Sequence, residues 1–232
     1  MTGKSSAKPR ISPGALVAVI ASPTALARAT RLHHPPDLFE LRLDALRHSL
    51  GVISRALPKL RAPLLLTARH PAEGGIGRLH LAERRALLRH FLKDAAIIDV
   101  ELRSVGQMKE MIGEMHRCQI DLLISRHYLR TTPSPNDLRF DAHSAVAAGA
   151  AIFKLVTRTD TREQLARLIN FFEASRDLLP IAAMGIGKLG LESRSQLDRL
   201  GSALTYASIG RANVAGQPSL SQLRRARRAY VM

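Results

Sequence analysis

The chain is poor in several things, and each shortage narrows what it can be. Of 232 residues only one is cysteine, Cys118, so no internal disulfide framework can form. That fits a reducing compartment, and a cytoplasmic location is expected. Aromatic residues make up 4 % of the chain and do not interleave with basic ones, which argues against a platform for stacked bases. No apolar run approaches the roughly 20 residues that span a bilayer. The first residues lack the apolar segment of a signal peptide. Acidic residues are scarce, 19 against 35 Lys and Arg, for a formal net charge of +16. Lysine is scarce too: there are seven, and all but Lys154 lie in polar or turn-like surroundings.

Arginine supplies most of the charge and is scattered through almost every segment. The single dense cluster is Arg224-Arg225-Ala226-Arg227-Arg228. This distribution reads as arginine-rich helix surfaces and attraction for an anionic small molecule. A nucleic-acid partner is not expected, since such grooves concentrate their phosphate contacts.

A hydrophobic content of 46 % supports a sizeable core. Residues 1–14 are polar, basic and rich in Pro, Gly and Ser, and read as a flexible tail. Residues 15–232 read as one domain. Eight apolar, strand-like runs fall at residues 16–22, 38–44, 63–69, 96–102, 121–127, 151–157, 180–186 and 203–209. Most are near-continuous, as in parallel strands covered on both faces. Between them lie helical patterns with recognisable starts. Ser22-Pro23 offers an N-cap followed by proline, while Thr161 with Gln164 and Ser219 with Gln222 form capping boxes. The longest amphipathic stretch, residues 80–94, carries Leu81, Leu87, Leu88 and Phe91 at helix-face spacing. Eight alternations without a linker predict an α/β single-domain (β/α)8 TIM barrel. A doubly wound open sheet is the alternative, but Ala21-Ser22-Pro23 is not the glycine-rich first turn that it favours.

In a barrel the chemistry collects where strands enter the following loops. Glu40, Arg42 and Asp44 alternate along the second run and are expected on one side of the sheet. Arg69 ends the third, ahead of a loop holding Glu73-Gly74-Gly75, and His127 ends the fifth. Lys154 sits within Ala151-Ile152-Phe153-Lys154-Leu155-Val156-Thr157. A lysine in a buried strand is desolvated, which favours the free amine that attacks carbonyl carbons. A lysine that packs its stem and sends its head to water is the bland alternative.

Taken together these motifs resemble type I 3-dehydroquinate dehydratase, the Schiff-base enzyme of the shikimate pathway. The resemblance runs from about residue 16 to the C-terminus. It rests on Glu40-Leu41-Arg42-Leu43-Asp44, Thr67-Ala68-Arg69 with Glu73-Gly74-Gly75, Ser125-Arg126-His127 with Thr132-Pro133, Phe153-Lys154, Met184-Gly185 with Gly190 and Ser193-Arg194, and Gly216-Gln217. It implies a lyase converting 3-dehydroquinate to 3-dehydroshikimate, typically a homodimer, needing neither metal nor organic cofactor. It further implies Lys154 as imine-forming residue, His127 as general acid/base and Glu73 as its carboxylate partner. Glu40, Arg42, Arg69, Arg194, Asn213 and Gln217 are implied at the substrate, with Arg42 and Arg69 close to the amine. Another Schiff-base barrel lyase, such as a class I aldolase, and a non-catalytic basic barrel are the competing readings. The chain departs from the family's pattern in Asn213-Val214-Ala215-Gly216-Gln217, where Ser-Ala-Pro-Gly-Gln is usual, and in Tyr128-Leu129 after the histidine, where Asp-Phe is common.

Overall fold

A computed structural model describes residues 14–210, 212, 214 and 216–231 of the chain. The tail read at residues 1–14 lies almost wholly outside the described residues, as does Asn213. Eight strands form one sheet: β1 Ala15–Ile20, β2 Leu38–Arg42, β3 Leu64–Thr67, β4 Ala95–Glu101, β5 Asp121–Tyr128, β6 Ile152–Arg158, β7 Ile181–Ile186 and β8 Leu204–Ser208. All paired neighbours are parallel, in the order β7-β6-β5-β4-β3-β2-β1-β8. Nine α-helices accompany them among the described residues: α1 Pro23–Ala29, α2 Leu43–Leu46, α3 Leu50–Ala56, α4 Leu81–His90, α5 Lys109–Arg117, α6 Pro135–Ala147, α7 Arg162–Ser175, α8 Gly190–Arg199 and α9 Leu220–Val231. This is the (β/α)8 barrel that the alternation predicts. None of these helices is long and apolar enough to cross a membrane.

The caps sit where the sequence puts them. Ser22 accepts the N–H of Ala25, and Thr161 exchanges hydrogen bonds with Gln164. Ser219 and Gln222 do the same at the start of α9. One boundary differs. The run read as residues 38–44 leaves the strand at Arg42, and Asp44 lies in α2. Leu43 and Leu46, three apart, are both buried by that helical turn. The Asp44 carboxylate meanwhile collects two donors from Arg42 and the backbone N–H groups of Arg69 and Ile76.

The continuous apolar runs follow from two separate cores. Leu16, Ala18 and Ile20 of β1 pack outward with the helices, while Ala15, Val17 and Val19 pack inside the barrel. Leu38, Leu65, Ile97, Leu123 and Ile152 line the same interior. Two residues further along each strand the buried positions turn polar, as Glu40, Thr67, Asp99, Ser125 and Lys154. The period of two along a strand keeps both sets on the inner face.

The barrel closes incompletely between β7 and β8. Their backbones share the bond from Ala203 N to Ile181 O, at 2.8 Å. The other N–H groups of β7 on that side find serine hydroxyls: Ala183 donates to Ser202 Oγ at 3.2 Å and Gly185 to Ser193 Oγ at 2.9 Å. Gly185 has no room for a side chain, because a Cβ there would lie 2.4 Å from Ser193 Oγ.

Candidate active site

Lys154 leaves the middle of β6 for the polar inner layer and is 4 % exposed. Its Nζ donates to Glu40 Oε1 at 3.1 Å and to Asp99 Oδ2 at 3.3 Å, and lies 4.0 Å from the centre of the Tyr206 ring. Arg69 lies near the amine, as expected, and shares Asp99 Oδ2 with it, whereas Arg42 is paired elsewhere. Arg42 turns to Asp44 and to the carbonyl of Gly74, and Arg69 to Asp99, Glu101 and Ser125. The immediate charged neighbours of Lys154 are therefore carboxylates. A low-dielectric interior demands this, since unpaired cations there cost several kcal/mol.

Behind the amine runs a chain of buried charges, of which the sequence singled out only Arg69. Arg69 bridges Asp99 and Glu101, and Glu101 also takes Arg84 and the backbone N–H of His70. Burial alone would raise the Asp99 carboxyl, but Arg69 and Lys154 outweigh it and hold it below the ordinary range. Burial would lower the Arg69 guanidinium, but Asp99 and Glu101 outweigh it and raise it. Asp99 and Glu101 had a signal: they alternate inside an otherwise apolar strand. Arg84 had one as well, since it shares the buried face of α4 with Leu87 and Leu88.

His127 stands near the end of β5 with its side chain 11 % exposed. Its Nδ1 lies 3.0 Å from Glu73 Oε2, the oxygen that also accepts the His127 backbone N–H at 2.9 Å. Burial pushes the imidazole well below its usual range, assisted by Arg69, Lys154, Arg42 and Arg126. Burial also pushes Glu73 up to about 7, with Arg69 opposing. Glu73 reaches the histidine from a tight turn, Pro71–Glu73, that ends in left-handed Gly74 at φ 86°. Gly75 follows where a Cβ would lie 2.3 Å from the Arg69 carbonyl oxygen. Arg42 and Asp44 fasten this loop to the end of β2 through Gly74 O and Ile76 N. A neutral imidazole that donates from Nδ1 keeps the Nε2 lone pair for a substrate proton.

Arg194, in α8, is buried, and its Nη1 touches Met184 Sδ at 3.4 Å. Its Nε has no hydrogen-bond partner among the described residues, and burial lowers the guanidinium to about 10. A guanidinium held dry without a carboxylate can engage an incoming anion bidentately. The Tyr206 hydroxyl, also overlooked in the sequence, is likewise buried without a partner.

A cavity of about 120 Å³ joins these groups. Glu40, Arg42, Arg69, Glu73, His127, Lys154, Arg194 and Gln217 all line it, together with Tyr206 and Met184. Eight of the nine site residues expected from sequence thus share one cavity, and the ninth, Asn213, lies outside the described residues. Among the described residues no group of three or more His, Cys, Asp or Glu side chains is placed to hold a metal ion.

Known proteins of similar sequence and shape agree with one another. The 3-dehydroquinate dehydratase of Dehalococcoides mccartyi is 30 % identical over 193 residues, covering 80 % of this chain and 82 % of that protein. The 3-dehydroquinate dehydratase of Klebsiella pneumoniae is 27 % identical, covering 81 % and 80 %. The crystal structure of 3-dehydroquinate dehydratase from Geobacillus kaustophilus has the same fold, with a TM-score of 0.84 at 24 % identity over 97 % of both chains. The Enterococcus faecalis enzyme superposes with a TM-score of 0.82 at 25 % identity over 96 % of this chain and 97 % of that one. The profile of the type I 3-dehydroquinase family matches residues 17–231, and the chain belongs to that family.

Proposed function

We propose that this protein is a 3-dehydroquinate dehydratase that works through an imine on Lys154. The observation that carries the reading is the one cavity that holds a buried strand lysine, a carboxylate-held histidine and an unpaired buried arginine. The substrate is a β-hydroxyketone bearing a carboxylate, and each of its groups has a counterpart. Arg194 clamps the carboxylate. The Lys154 amine gives up its proton within the Glu40–Asp99 network, adds to the ketone and expels water, forming a protonated imine. That imine is an electron sink for the neighbouring carbon. His127 Nε2 removes the proton there, and the electron pair moves into an enamine. The enamine then expels the hydroxyl, which leaves as water with the proton that His127 returns. Hydrolysis of the conjugated imine releases the enone and restores the amine, so one water is lost overall.

Glu73 holds the imidazole and stabilises its charged form while it carries the proton. Glu40, Arg69 and Gln217 border the ring hydroxyls, and Arg42 acts from the rim that it ties to the Glu73 loop. Asn213 takes the place of the family's serine in that contact set. The resemblance further implies a homodimer, and composition a cytoplasmic protein with one catalytic domain, residues 15–232, behind a basic tail.

The test is incubation with 3-dehydroquinate, following the ultraviolet absorbance of the enone, with borohydride added during turnover. Absorbance should rise, and ligand mass should become fixed to the peptide holding Lys154. Carbon–carbon cleavage instead would indicate an aldolase-type lyase. Mass on another lysine, or on none, would remove Lys154 from its role. Sedimentation at several concentrations checks the dimer, and a variant lacking residues 1–14 checks the domain boundary.

A further inference from the structure

A second cavity, of about 600 Å³, opens on the flank of the barrel between α1 and α9. Five arginines line it: Arg28 from the last turn of α1, Arg31 from the turn that follows it, and Arg224, Arg225 and Arg228 from α9. Their spacing explains the convergence. Residues three or four apart share a helix face, so Arg228 of α9 stands beside both Arg224 and Arg225, while the turn after α1 brings Arg31 to the same recess as Arg28. No acidic residue lines this cavity, and none of the five arginines has a carboxylate partner among the described residues. The contrast lies within the same run. Arg227 faces away and is paired with Asp198.

The wall is partly fixed in place. Arg224 Nη2 donates to the carbonyl of Pro35 at 2.7 Å, and the Arg28 guanidinium rests on Gly210, where any Cβ would lie 2.1 Å from Nη1. The floor is apolar, from Leu32, Ile209 and Leu220. Five like charges around one recess repel each other, and a bound anion relieves that repulsion.

The chemistry of the occupant follows from three features. Guanidinium forks match phosphate oxygens bidentately, and five of them exceed what one carboxylate can engage. The volume lies in the range of small-ligand sites, about 300–1,000 Å³. Among the described residues no aromatic side chain lines the cavity, which offers none of them for stacking bases. We propose that this cavity is a binding site for a small oligophosphate anion, one carrying two or more linked phosphoryl groups. The site is separate from the dehydratase cavity and does not depend on the reading of that cavity.

Calorimetric titration of the full chain with inorganic pyrophosphate, at constant ionic strength, tests the proposal. Binding should saturate at one site and weaken steeply as salt is raised. Arg28→Gln combined with Arg225→Gln should weaken it at least tenfold, while thermal unfolding and dehydratase turnover stay unchanged. Arg31→Gln with Arg228→Gln serves as a second pair should the first fail to fold. Arg117→Gln with Arg139→Gln, exposed arginines on other helices, should leave the affinity intact. Absence of saturable binding, or equal losses from cavity and control pairs, would overturn the proposal. So would a short DNA duplex that binds more tightly than pyrophosphate and is not displaced by it.

Discussion

One oxygen of Glu73 receives two nitrogens of His127, the backbone N–H at 2.9 Å and the ring Nδ1 at 3.0 Å. The double attachment sets the position of the β5 backbone and the rotation of the imidazole together. The other oxygen, Oε1, is buried without a hydrogen-bond partner among the described residues, and Arg126 Nη1 is 3.9 Å away. A carboxylate so placed is costly to ionise, and that cost can be measured.

Below about pH 4.5 the Glu73 carboxyl is protonated in both folded and unfolded chains. Between there and about 7 the unfolded chain ionises while the folded one keeps its proton, so stability falls as pH rises. Above 7 the loss levels off, at about 3 kcal/mol at most. Glu73→Gln keeps an oxygen for both His127 donors and cannot ionise. Its stability relative to the parent should therefore rise between pH 4.5 and pH 8, while turnover drops about 10- to 100-fold as the imidazolium loses its counter-charge. Urea unfolding at the two pH values decides. An unchanged difference would mean that Glu73 is an ordinary carboxylate.

His127→Ala removes the proposed proton carrier and leaves the amine in place. Turnover should fall by roughly 10²- to 10⁴-fold, the range for a lost general acid/base. Borohydride should still fix ligand on Lys154, though more slowly. Near-normal turnover would assign the proton transfer to another residue.

Lys154→Met should abolish turnover and also destabilise the resting protein. The amine neutralises part of the Glu40 and Asp99 charge, and an isosteric apolar side chain leaves both carboxylates buried with less compensation. The loss should be on the order of 3 kcal/mol by denaturant unfolding at pH 7. Adding Glu40→Gln should restore much of it, because the uncompensated charge is then gone. A single variant as stable as the parent would show that the pair is not worth its geometry.

Arg194→Met should act in opposite directions on stability and on substrate affinity. The guanidinium is charged at neutral pH although burial lowers it to about 10, a cost of about 3 kcal/mol at most that the variant escapes. The apo protein should therefore unfold at higher denaturant, while KM rises about 100-fold or more for want of the carboxylate clamp. Stabilisation of the parent by bound substrate analogue should vanish in the variant. A less stable variant would mean that Arg194 holds the fold together instead of waiting for an anion.

How much of this could be read beforehand depends on what each residue type signals by itself. The strands were legible because two cores bury both faces, giving runs such as Leu16 to Ile20 with no polar interruption. Lys154 was legible for the same reason in reverse, as a charge where the run allows none. Asp99 breaks its strand in the same manner, yet its partner Arg69 lies 30 residues earlier, and only the closed barrel brings them together. Asp44 misled because alternation persists past Arg42 while the backbone has already turned into a helix. Tyr206 carried no mark at all, since a tyrosine in a strand looks like any core aromatic.

The serine-capped seam between β7 and β8 has a consequence for how the molecule breathes. Elsewhere neighbouring strands are stitched by ladders, continuous along β5 and β6 and shifted once between β3 and β4. At the seam, separation costs one backbone bond and two hydroxyl contacts. Local openings of lowest free energy should therefore start there. The amide protons of Ala183, Gly185 and Ala203 should exchange with deuterated solvent well before those of Ile124 or Leu155. The cylinder behaves as a curled ribbon held shut by a clasp, and excursions of that clasp bring solvent to the barrel wall one strand away from Lys154.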